Sequence, residues 1–133
     1  MRLGLGYVAT VLSMLVLDAI WLGLVATPWY QQGIGHLTAA EPNFTAAIAF
    51  YLLYALGLLV FAVVPNVAVP GVAKTAAQAA FFGLLAYGTY DLSNLATLRN
   101  WPLGLSLLDM AWGSFVSALA ASAGKGIFDK LAR

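Results

Sequence analysis

Four apolar stretches, at residues 3–26, 44–64, 73–98 and 103–123, are each long enough to cross a bilayer, and this constrains the fold more than any other feature of the chain. About 20 apolar residues cover a hydrocarbon core roughly 30 Å thick. Backbone polar groups inside that core must pair within their own segment, so such stretches become helices. The expected fold class is therefore all-α: a polytopic membrane protein with four transmembrane helices in an antiparallel bundle. With 133 residues there is room for a single domain, and 62% hydrophobic against 8% charged residues departs far from soluble composition. The first stretch starts like a secretory signal, but it runs past Asp18 to Ala26 without a small-residue cleavage site, and it is read as a retained span.

Punctuation supports these boundaries. Pro28, Pro42, Pro65, Pro70 and Pro102 all fall in the connections, as expected for a residue that lacks a backbone donor. Asn43 and Asn100 are expected to cap the second and fourth spans. Residues 99–102 leave only a tight antiparallel turn between the third and fourth spans. The longer connection, residues 27–43, has room for a short interfacial helix. Arg2, Lys74, Lys125, Lys130 and Arg133 fall on one side of this layout and Arg99 on the other, so both termini of a multi-pass protein are expected on the cytoplasmic side. Trp29, Tyr30 and Trp101 then sit at the outer interface, where amphipathic rings are favoured.

Three carboxyl groups interrupt the apolar spans: Asp18, Asp91 and Asp109. Counting along the helices at about 1.5 Å per residue places all three about 6 Å outward of the midplane. An intramembrane carboxylate is costly unless partnered, so three at one depth point to a shared polar site. Helical spacing groups Asp18 with Trp21, Tyr87 with Asp91 and Asn94, Tyr90 with Asn94, and Asp109 with Trp112. The second span adds Tyr51 and Tyr54, residues that more often pack than bind, and Tyr54 is taken into the set. The candidate ligand-binding set is accordingly Asp18, Trp21, Tyr54, Tyr87, Tyr90, Asp91, Asn94, Asp109 and Trp112. Asp18-x-x-Trp21 and Asp109-x-x-Trp112 echo one another on oppositely directed helices, which two matching positions can equally produce by chance.

Other functions lack their residues. Without cysteine there is no disulfide, thiol nucleophile or thiolate metal site, and a net charge of +1 gives no nucleic-acid surface. No metal site and no cofactor are expected: no cofactor fingerprint is present, and the aspartates lack the close spacing of acidic metal motifs. His36 and Glu41 are read as solvated loop residues, and Arg99 as an interfacial anchor.

The block Tyr90-Asp91-Leu92-Ser93-Asn94-Leu95-Ala96-Thr97-Leu98-Arg99-Asn100-Trp101-Pro102, with Asp18-x-x-Trp21-Leu22-Gly23 and Asp109-x-x-Trp112-Gly113, resembles the bacterial membrane-protein family known as domain of unknown function 2177. The resemblance spans essentially the whole chain and implies a four-helix membrane fold. It implies no catalytic residues. Relatives in that family are often encoded near enzymes that modify fatty acyl chains, so the resemblance also implies a lipid-like ligand.

Three function classes follow. In the first, the acidic, aromatic level opens toward the outer leaflet and binds or transports a lipid-like or amphipathic small molecule, with membrane lipid as the surrounding partner. The second is a membrane-embedded lipid-modifying enzyme in which one aspartate acts as base and another as acid. The third is a structural accessory subunit whose aspartates secure packing. Small residues at Gly113, Ser117 and Ala121, and at Ser114, Ala118 and Ser122, permit close helix approach either within the chain or in a homo-oligomer.

Overall fold

Apolar segments bounded by proline and asparagine become five helices in the computed structural model, which describes residues 1–133 and contains no strand. Helix α1 (Arg2–Ile20) continues through a π-helical turn, Trp21–Val25. The short helix α2 (Thr27–Ile34), with Pro28 in its first turn, ends in a 3-10 turn at Gly35–Leu37. Helix α3 (Phe44–Leu58) is extended by a second π-helical turn, Leu59–Val63, and a 3-10 turn, Val64–Asn66. Helices α4 (Ala73–Thr97) and α5 (Leu103–Leu131) complete the chain. Three of the helical segments, Arg2–Val25, Phe44–Asn66 and Leu103–Leu131, are long and apolar enough to cross a membrane.

Asn43 caps α3 as expected, its side chain accepting from the Ala46 amide at 3.1 Å. Asn100 does not cap α5. The cap position belongs to Pro102, and Asn100 instead takes φ +59° in the turn, a left-handed conformation that asparagine tolerates better than most residues. Helix α5 also runs past the expected end at residue 123 to Leu131. Gly124-Lys125-Gly126 reads as a break, yet the helix holds because Gly124 packs directly on Gly6 and Thr10 of α1. Lys125 adds a second tie: its buried Nζ donates to the Val69 carbonyl at 3.0 Å and to the Asp129 carboxylate at 2.6 Å. That places Lys125 inside the bundle, not at a solvated rim.

Helix α5 is the spine. It runs antiparallel to α1, with Gly6 against Gly124 at one end and Asp18 meeting Trp112 toward the other. It also runs antiparallel to α4, where Gly83 faces the Gly113 carbonyl and the Ser114 hydroxyl donates to the Ala80 carbonyl at 2.9 Å. Helix α3 packs on α1 and reaches α4 and α5 through its π-helical turn. Gly113, Ser117 and Ala121 are buried within the chain, so this small-residue stripe serves intrachain packing. Arg2, Lys74, Lys125, Lys130 and Arg133 gather at one end of the bundle, and Arg99 lies in the turn at the other.

The interior is unusually polar and the exterior apolar. Of 26 buried residues, nine are polar or charged and 12 are hydrophobic, while Leu24, Leu53, Phe44, Phe61 and Phe81 are among the most exposed side chains. A soluble protein this size would leave such a surface wet at large cost, whereas hydrocarbon accepts it.

Candidate functional site

The antiparallel register of α1 and α5 sets the depth of the site. Asp18 lies level with Trp112, and Asp109, three residues earlier on α5, lies one turn, about 4.5 Å, nearer the α4–α5 turn. Asp18 is buried and accepts two hydrogen bonds, from the Tyr51 hydroxyl at 2.7 Å and from the Trp112 indole N–H at 2.8 Å. Asp109 accepts a short hydrogen bond from the Tyr30 hydroxyl. Tyr30 Oη in turn accepts from the Trp21 indole N–H at 3.3 Å. Both carboxyls are thus held by neutral donors, and the chain's single ion pair, Lys125–Asp129, lies at the opposite end of the bundle.

Aromatic rings frame these acids. Trp21 and Trp112 stack with centroids 4.5 Å apart and planes 4° from parallel, joining α1 to α5 beside Asp18. Tyr54 meets Tyr87 edge to face at 5.9 Å, and its hydroxyl shares a 2.7 Å hydrogen bond with Ser117. Between these groups lies a cavity of about 530 Å³, lined by Asp18, Trp21, Leu22, Tyr30, Phe50, Tyr51, Tyr54, Ala86, Tyr87, Tyr90, Asp109 and Trp112. That volume and lining, largely aromatic with a few convergent polar groups, are those of small-molecule sites in general.

Seven of the nine residues singled out in the sequence line this cavity: Asp18, Trp21, Tyr54, Tyr87, Tyr90, Asp109 and Trp112. Asp91 does not. It is 2% exposed, on the turn of α4 that follows Tyr87, level with Asp109 across the α4–α5 contact. Asn94 sits a further turn along α4, half-buried and outside the lining. The three aspartates do not converge into a metal-ligand set.

Two lining tyrosines were not in that set. Tyr51 lies one turn before Tyr54 on α3, and its hydroxyl donates to Asp18 at 2.7 Å. Tyr30 was placed at the outer interface; instead α2 folds back so that it reaches Asp109. The fold-back is secured by Gly33, which packs against Leu105 and Pro102 at the start of α5. Burial first, and then donation to Asp109, raise the Tyr30 phenol above its ordinary range, so it remains a donor. The available signal was local: Pro28 starts a helix immediately after the first span, and a helix there must lie against the end of the bundle that the span has reached.

A protein-family model described as "Predicted membrane protein (DUF2177)" matches residues 3–125. No curated protein and no solved structure matches the chain. Because the family match covers nearly every helix described above, the chain belongs to the DUF2177 family of predicted membrane proteins.

Proposed function

We propose that this protein binds or transports an amphipathic, lipid-like molecule with a cationic headgroup, taken up in the aromatic cavity and held by Asp18 and Asp109. One observation carries the reading: two carboxyls face a cavity of about 530 Å³ with tyrosine and tryptophan donors but no basic side chain paired to either. Carboxylates in a low-dielectric interior need a counter-charge. A ligand cation supplies it, and the faces of Trp21, Trp112 and the surrounding tyrosines favour such a group through their quadrupoles. The apolar remainder of the ligand matches the aromatic and aliphatic lining.

The reading includes four membrane spans with both termini in the cytoplasm of a bacterial inner membrane. Helix α4 is less apolar than its neighbours because it carries Lys74, Gln78, Asp91 and Asn94, but its 25 residues reach about 37 Å and lie antiparallel along α5. A helix packed along a spanning neighbour, with its acid turned inward, crosses with it. The clustering of five basic residues at one end supports the orientation. The cavity then lies toward the outer leaflet.

The test is native mass spectrometry and lipid extraction of protein purified in a mild non-ionic detergent. A cationic amphiphile should copurify with the wild type and be lost from Asp18→Asn and Asp109→Asn. If the wild type and both variants carry the same lipids in the same amounts, the proposal fails. Recovery of a chemically altered product instead of an unchanged ligand would favour paired-carboxyl catalysis.

A further inference from the structure

Asp91 is 2% exposed, and its Oδ2 has no hydrogen-bond partner. Native interiors rarely leave a buried carboxyl oxygen unmatched, so this atom needs an explanation. Across the α4–α5 contact its neighbour is Asp109: the Tyr87 ring packs on Gly113, and one turn on from each the antiparallel helices present Asp91 and Asp109 at the same level. Ionised carboxylates only accept, so a hydrogen bond between two of them requires a proton on one. Sharing one proton, the pair would carry a single negative charge; without it, two like charges would face each other in a dry interior.

Nothing basic surrounds the pair. The titratable groups facing it are Asp18 from α1, Tyr30 from α2, and Tyr87 and Tyr90 from α4. On α3, Tyr51 and Tyr54 face Asp18. Arg99 forms no ion pair with either carboxyl. The two acids also have different access: Asp109 lines the cavity, whereas Asp91 lies behind it.

We propose that Asp91 and Asp109 form a one-proton store that a ligand cation discharges, so that each cation bound at Asp109 expels one proton. This rests on the cavity being a cation site. The exchange balances: before binding, the pair carries one proton and one negative charge, and afterwards two negative charges face one ligand cation, with the proton passed to solvent. The net charge of the bundle is unchanged. Asp109 is the half that meets the ligand and Asp91 the half that makes the exchange protonic. A binding protein built this way couples its ligand to a proton gradient.

Octyltrimethylammonium is a suitable probe because its quaternary nitrogen carries no proton of its own. Isothermal titration into detergent-solubilised protein, in buffers of different ionisation enthalpy, should report about one proton released per probe bound, with affinity rising up to about tenfold per pH unit while the pair holds its proton. Asp91→Asn, whose amide can donate to Asp109 but has no proton to give up, should bind the probe with no release and a flat pH profile. Wild-type binding without proton release overturns the exchange and leaves the cation site standing. Absence of wild-type binding overturns both. Infrared difference spectra give a check that does not depend on the variant folding: a protonated-carboxyl C=O band must be present in the wild type and fall when the probe binds, and failure of either overturns the proposal.

Discussion

Replacing Tyr30 by phenylalanine removes one oxygen and tests whether α2 is latched to the bundle through the site. That oxygen donates to Asp109 and accepts from the Trp21 indole, so it is the polar tie between α2 and the helices beneath it. A hydrogen bond to a charged partner contributes about 1.5–3 kcal/mol. At about 1.4 kcal/mol per decade, its loss should raise the opening equilibrium of α2 by roughly 10- to 150-fold. The amides of Trp29 and Tyr30, bonded to the Ala26 carbonyl at 3.0 and 3.2 Å, report that opening directly. Hydrogen–deuterium exchange in lipid nanodiscs, followed on peptides spanning residues 26–38, should show the acceleration there while peptides from the centre of α4 are unaffected. Asp109→Asn keeps an acceptor for Tyr30 but removes its charge, so its effect should be smaller, about 1–1.5 kcal/mol, the difference between a charged and a neutral bond. Exchange of the α2 amides within about twofold of wild type in Tyr30→Phe, or an equal acceleration everywhere, would refute the latch.

Three further substitutions probe how the bundle is packed. A Cβ at Gly113 would strike the Tyr87 ring and one at Gly104 would meet open space, so Gly113→Ala should lose about 1–3 kcal/mol of stability and Gly104→Ala almost none, measured as thermal midpoints in detergent. Lys125→Met keeps the buried stem but removes the donor to Val69 and Asp129, and should cost about 1–3 kcal/mol, with faster amide exchange confined largely to residues 67–72 and the end of α5.

What the sequence disclosed was whatever depends on chain length and local chemistry. Apolar run length located the helices to within a few residues except at the end of α5, which runs on from residue 123 to Leu131; Asn43 announced its cap, and the helical rise placed Asp18 and Asp109 within a turn of each other. Rotation about the helix axes was less accessible. Steps of three and four residues put Tyr87 and Asp91 on one face, but the cavity takes Ala86, Tyr87 and Tyr90, leaving Asp91 in the α4–α5 contact. No composition marks the π-helical turns at Trp21–Val25 and Leu59–Val63, because a widened turn is a response to neighbouring helices. Tyr30 escaped for a similar reason: an interfacial tyrosine and one folded over a carboxyl look identical until the connection's path is known. Lys125 resembled a rim cation because the carbonyl that receives it, Val69, lies 56 residues away in the chain.

The widened turn at the end of α1 makes residue number, as well as residue identity, a property of the cavity wall. Its closing bond, from the Ala26 amide to the Trp21 carbonyl at 2.7 Å, spans five residues where an ordinary turn spans four. Deleting the lipid-facing Leu24, 81% exposed, would sacrifice almost no packing. It would nonetheless close the widened turn to an ordinary one and shorten by one residue the path from Trp21 to Tyr30, whose side chains are hydrogen-bonded to each other. Spacing between Trp21 and Tyr30 is therefore a stricter requirement on this chain than the side chains that fill the interval.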